Sequence, residues 1–253
     1  MGYTKYIKSG SQFELYEYEK QSYARGRPTG YTKNTHLQNL GDSGDRALLE
    51  RKFSRRKDNA RRASMAFRRL VLSNLRTDEN PVLCTLTFAE NRTDVSECAR
   101  FFHIFTGRMR KQFGTNFRYI AVPEFQQRGA VHYHALFWGL PVGIEKRERN
   151  DRTIAQLWEQ GFVDIIATDG SQKLSTYLAK YMIKAIEDIR LLSHKAYFAS
   201  RNIVRPLTGA GFPMWWVEEE FALHEADLIV YKQFKTDWLG EGRYRLFELG
   251  EEF

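Results

Sequence analysis

Residues 117–138 read FRYIAVPEFQQRGAVHYHALFW. Two runs, 117–124 and 130–138, are dense in aliphatic and aromatic residues and flank Gln127-Arg128-Gly129. That spacing predicts two strands joined by a three-residue hairpin loop, with glycine in the left-handed position. A hairpin is antiparallel by construction, so this stretch sets the character of the sheet. A loop centred on Arg128 also sets Glu124 directly opposite His132.

Upstream, Val82 to Phe88 reads as a buried strand, and residues 95–113 as a helix with Ala99, Phe102, Ile104 and Phe105 apolar. Arg108, Arg110 and Lys111 near its end suit a helix C-terminus, and Gly114 is a plausible stop. Downstream, residues 153–160 read as helix and Gly161 to Ala167 as a strand. Residues 171–192 read as a helix with Ser171 or Ser175 as its cap. Leu174, Leu178, Met182, Ala185 and Ile189 form its apolar stripe. The order is strand–helix–strand–strand–helix–strand–helix. It predicts an α+β fold whose central, mainly antiparallel sheet is flanked by helices.

The expected organisation has four parts: an N-terminal arm (1–44) with one short strand, a basic helical segment (45–76), a core (77–206) and a C-terminal extension (207–253). In the basic segment Leu49, Phe53, Ala60, Ala63, Phe67 and Leu70 recur at helical spacing, and Pro81 is the expected stop. The whole chain has a formal net charge of +8, yet residues 46–76 hold 11 Lys/Arg against 2 acids. One segment therefore carries the basic character, as a phosphate-binding element would. Arg61, Arg62, Arg68 and Arg69 are its candidate nucleic-acid contacts. In the C-terminal part, Gly209-Ala210-Gly211 reads as a turn.

The hydrophobic fraction of 42% suits a globular protein, and no run of 18 apolar residues is present to span a membrane. The N-terminal residues lack the apolar centre of a signal peptide, and Cys84 and Cys98 form no zinc pattern. An intracellular, reducing setting is expected. No Gly-x-x-x-x-Gly-Lys-Ser/Thr stretch occurs, so no P-loop helicase is expected in this chain.

Two groups of residues carry chemistry. On a strand His132 and His134 project to one face, close enough to chelate one cation, with Glu124 across the hairpin as a third ligand. Two imidazoles and a carboxylate suit manganese or magnesium better than structural zinc. In the second group Tyr177, Lys180, Tyr181 and Lys184 lie at i, i+3, i+4 and i+7, on one side of a helix. A tyrosine oxygen with a pKa of about 10 is a poor nucleophile at neutral pH. A neighbouring lysine favours its anion or steadies developing charge. Each group alone is also compatible with an ordinary surface.

Together, in this order, they resemble a known family. The strand Cys84-Thr85-Leu86-Thr87-Phe88, the strand with His132-Tyr133-His134 and the helix with Tyr177-Leu178-Ala179-Lys180-Tyr181-Met182-Ile183-Lys184 are similar to the three motifs of the HUH endonuclease replication initiators of small phages, viruses and plasmids. Pro123 to His134 resembles the central motif of the phage-like branch, and Ser200-Arg201-Asn202 and Arg205-Pro206 extend the likeness over residues 80–206. The resemblance implies a sheet-and-helix fold similar to an RNA-recognition motif, with a divalent cation held by His132, His134 and Glu124. It implies Tyr177, Tyr181 or both as nucleophiles, and rolling-circle initiation through a 5′-phosphotyrosine. The implied partners are single-stranded DNA at a replication origin and a host helicase and polymerase, in the cytoplasm of a bacterial host. A relaxase or transposase would use the same chemistry. A single-stranded nucleic-acid-binding module without catalysis would need only the basic helix and the aromatic residues.

Overall fold

The computed structural model describes residues 3–20, 60–75, 79–141, 143–144, 153–191, 194–236 and 239–250, and leaves aside the side chains of Met182, Ile186 and Ile189. Leu49 and Phe53 of the basic stripe, most of the arm, and Met182 and Ile189 of the later stripe therefore lie outside what is described. The chain divides into two compact units. One holds the described residues of Met1–Asp58 and Pro206–Phe253, the other those of Asn59–Arg205. Each is built on a five-stranded antiparallel sheet, so the fold is α+β.

In the first unit β1 (Tyr3–Ser9) and β2 (Gln12–Tyr18) form a hairpin. Two strands thus stand where the sequence suggested an arm with one. In the second unit the strands are β3 (Val82–Phe88), β4 (Arg118–Phe125), β5 (Val131–Trp138), β6 (Gly161–Ala167) and the short β7 (Phe198–Ala199), in the order β6-β3-β5-β4-β7. The first unit is completed by β8 (Leu207–Ala210), β9 (Leu228–Thr236) and β10 (Gly240–Glu248), in the order β8-β1-β2-β10-β9. The stretch expected to be a turn at Gly209 is part of β8, where a Cβ at Gly209 would lie 2.3 Å from the Tyr6 ring.

The described helices of the second unit include α1 (60–72), α2 (Val95–Phe113), α3 (Thr153–Trp158) and α4 (Lys173–Glu187). Helix α1 stops well before Pro81. Asn74, fully buried, donates from its amide to the Leu70 and Val204 carbonyls and accepts from the Val204 N–H. These bonds use the side chain to satisfy a helix end, which is how a helix can finish without glycine or proline. Helix α2 starts at Asp94, whose carboxylate accepts from the Ser96 and Glu97 N–H groups, and ends at Gly114 as its sequence suggested. Phe102 of α2 stacks on Tyr133, and Phe105 packs on Phe137 and Trp158. Tyr133, Ala135 and Phe137 therefore face α2, which leaves His132 and His134 on the opposite face of β5.

The α4 helix is shorter than the span 171–192, and neither serine caps it. Its N-cap is Gln172, and the Ser175 hydroxyl donates to the Gln172 carbonyl. It ends where Asp188 turns to an extended conformation and accepts the Arg190 N–H. Leu178 and Ala185 are buried and Leu174 packs on the core, so the described residues of the expected apolar stripe face the core. The familiar residues after β7 secure the start of β4. Ser200 exchanges backbone and hydroxyl bonds with Tyr119, and Asn202 donates to the Thr115 and Phe117 carbonyls.

Candidate active site

The β4–β5 hairpin closes as its sequence suggests. Gln126 N–H donates to the Ala130 carbonyl, Gly129 N–H to that of Gln126, and Gly129 has φ 86°. That left-handed conformation costs glycine nothing and any other residue something, so it fixes the loop length. Loop length fixes register. Glu124 pairs with His132, and Val122 with His134.

The consequence is a tight three-residue cluster. The Glu124 Oε2 lies 3.1 Å from His132 Nε2 and 3.0 Å from His134 Nε2. One ligand atom from each of the three residues falls within 4.8 Å of the others. Two ligands at a right angle, each about 2.1 Å from one ion, are about 3 Å apart, so the arrangement fits a small divalent cation. His134 is buried, and its pKa is pushed down to about 4 by burial and by the His132 ring, against the pull of Glu124. It is therefore neutral near pH 7 and has a lone pair to donate. Burial raises the pKa of Glu124, but hydrogen bonds from Lys184, His132 and His134 outweigh it and hold the group below its ordinary range. Thr85, paired with His134 on β3, has its hydroxyl 3.4 Å from His134 Nδ1.

Helix α4 brings the second group of residues to the first. The Tyr181 ring stacks on the His134 imidazole with centroids 3.8 Å apart, and its hydroxyl donates to Tyr177 Oη at 2.9 Å. Tyr177 is 38% exposed. Burial and the bond to Tyr177 raise the pKa of Tyr181. Lys184 Nζ lies 2.9 Å from Glu124 Oε1 and sits over the Tyr181 ring. Glu124 thus shows one oxygen to the imidazoles and the other to a cationic side chain on α4. Lys180 is exposed and takes no part in these contacts.

Arg61 and Arg62 are exposed on α1, while Arg68 and Arg69 are half-buried. The role of Arg128 was not legible beyond its place in the loop. Its guanidinium donates to the carbonyls of Phe88 and Ala89, tying the hairpin tip to the end of β3. Arg190 lies 3.7 Å over the Phe125 ring and pairs with Asp188, and Phe125 and Asp188 line a small pocket with Glu124 and Lys184. Nothing in a linear motif marks a cation stacked on a neighbouring strand's ring.

Residues 81–186 match the family model described as Replication-associated protein ORF2/G2P. The matched stretch runs from the start of β3 into the last turn of α4, and contains the histidines, the carboxylate, both tyrosines and both lysines. No curated protein and no solved structure matches the chain. Among the described residues no helix is long and apolar enough to cross a membrane.

Proposed function

We propose that this chain, whose residues 81–186 match a replication-associated protein family, is a rolling-circle initiator that nicks single-stranded DNA at a replication origin and attaches itself to the cut end through a tyrosine. The observation that supports this reading most is the stacking of Tyr181 on His134, with Tyr177 one hydrogen bond further out. It puts two candidate nucleophiles beside a set of cation ligands.

His132, His134 and Glu124 would hold a divalent cation, manganese or magnesium. When bound, such an ion polarises a phosphoryl oxygen and neutralises developing charge. A tyrosine oxygen, from Tyr177 or Tyr181, forms the new bond to phosphorus as the bond to the 3′-oxygen breaks. The phenol loses its proton and the departing 3′-oxygen gains one. Lys184, over the Tyr181 ring and bonded to Glu124, and Lys180 on the same helix supply positive charge that steadies the charge developing at the phosphate. The product is a 5′-phosphotyrosine and a free 3′-hydroxyl for a host polymerase to extend, with strand separation left to a host helicase. The phosphotyrosine conserves the ester, so rejoining needs no nucleotide. Arg61, Arg62, Arg68 and Arg69 of α1 hold the DNA backbone.

The test is cleavage of single-stranded origin DNA by wild type, His132→Ala and Glu124→Gln, with manganese or with a chelator. Cleavage by the wild type with manganese alone, reduced at least about a hundredfold in either variant, is expected. Undiminished cleavage by His132→Ala, or cleavage in chelator, would overturn the assignment of the cation site.

A further inference from the structure

The row of the sheet that carries the cluster does not stop at His132. Glu124 pairs with His132, His132 with Thr87, and Thr87 with Phe162, one continuous line across β4, β5, β3 and β6. Directly paired residues share a face, so Phe162 stands on the same face as the histidines. It is 72% exposed.

Exposure here is a property of one side of the strand. Val163 and Ile165, at the alternate positions of β6, pack on the core. Phe162, Asp164 and Ile166 face outward, with Ile166 50% exposed. Strand β6 is the edge of its sheet. Edge strands are usually blunted with charge, and large exposed apolar side chains there mark an interaction surface. Backbone geometry also fixes this edge. Gly161 has φ 151°, and a Cβ on it would lie 2.3 Å from Ala89 N and 2.4 Å from Thr87 O. The close approach brings Phe162 level with Thr87.

We propose that Phe162 is a stacking platform for a DNA base next to the scissile phosphate, with Thr85 and Thr87 lining the path between it and the histidines. Its placement beside the cut rests on the nickase reading above; its role as a base platform does not. Neighbouring strands are about 4.8 Å apart, so Phe162 lies about 10 Å from His132, a span of one to two nucleotides of extended single strand. A flat, solvent-facing ring suits the face of any base and a sequence-tolerant contact. The Asp164 carboxylate on the same face repels phosphate. The bases, rather than the backbone, therefore face this part of the sheet. Phe162 is in these terms a positioning residue.

The experiment measures binding of oligodeoxythymidine and of an abasic oligomer of equal length, in chelator so that no strand is cut. The proteins are wild type, Phe162→Ala and Phe162→Trp. Phe162→Ala is expected to weaken binding of oligodeoxythymidine about 5- to 100-fold while changing binding of the abasic oligomer less than about twofold, and Phe162→Trp to bind as wild type. Equal losses on both oligomers, or none on either, would overturn the platform. So would a Phe162→Ala protein that keeps its DNA affinity but loses self-association in sedimentation, since the edge would then serve a second copy of the chain. A wild type that prefers bases through Phe162 yet cleaves no origin DNA would instead sink the nickase reading and leave the platform standing.

Discussion

The Glu124 carboxylate decides the character of the site. Its pairing with His132 was legible in the sequence because a three-residue loop admits one register, and Gly129 marks that loop. The stacking of Tyr181 on His134 was not legible, because it depends on how α4 docks and not on spacing within either element. The same docking buries His134 in its neutral state, which has a consequence for acid stability. The folded pKa is about 4 and the unfolded value about 6.5, so between them the unfolded chain binds the extra proton. Stability present above about pH 6.5 is lost as pH falls toward 4. The urea midpoint of the metal-free protein should therefore drop over this range, and His134→Gln should flatten the drop. Parallel curves for the two proteins would show that His134 carries none of it.

Among the elements, β3, β4, β5, β6 and α2 follow their sequence patterns closely, since each has a strong apolar period and a marked end such as Gly114. The ends of α1 and α4 do not. Asn74 ends α1 with a side-chain bond to Val204, a partner no window of local sequence shows, and Asp188 ends α4 by accepting the Arg190 N–H, a bond that apolar spacing does not mark. Asn74→Ala leaves the Val204 N–H and two carbonyls short of a partner, and is expected to cost about 2–3 kcal/mol in urea unfolding. A loss under about 0.5 kcal/mol would show that the clamp is incidental. Helix α1 also carries the arginines. Replacing Arg61, Arg62, Arg68 and Arg69 by glutamine is expected to flatten the plot of log affinity against log salt by about 2–3 for single-stranded DNA. An unchanged slope would remove α1 from the interface.

At the scale of the whole molecule, the sequence was most informative where partners are close along the chain. The unit of Asn59–Arg205 pairs β4 with β5 across a tight loop, and its α+β character could be read directly. The other unit pairs β2 with β10, joining strands from opposite ends of the chain, and no local period announces such a partner. The described strands of the expected arm and extension thus build one sheet. The candidate site lies in the matched span 81–186, and the proposed function requires that a tyrosine there become bonded to DNA. The direct measurement is a denaturing gel of the protein incubated with single-stranded origin DNA and manganese, comparing wild type with Tyr177→Phe, Tyr181→Phe and the double variant. A shifted, nuclease-sensitive band in the wild type, absent from the double variant and from the chelator control, is the predicted result. An undiminished band in the double variant, or none in folded wild type that binds the same DNA, would contradict it.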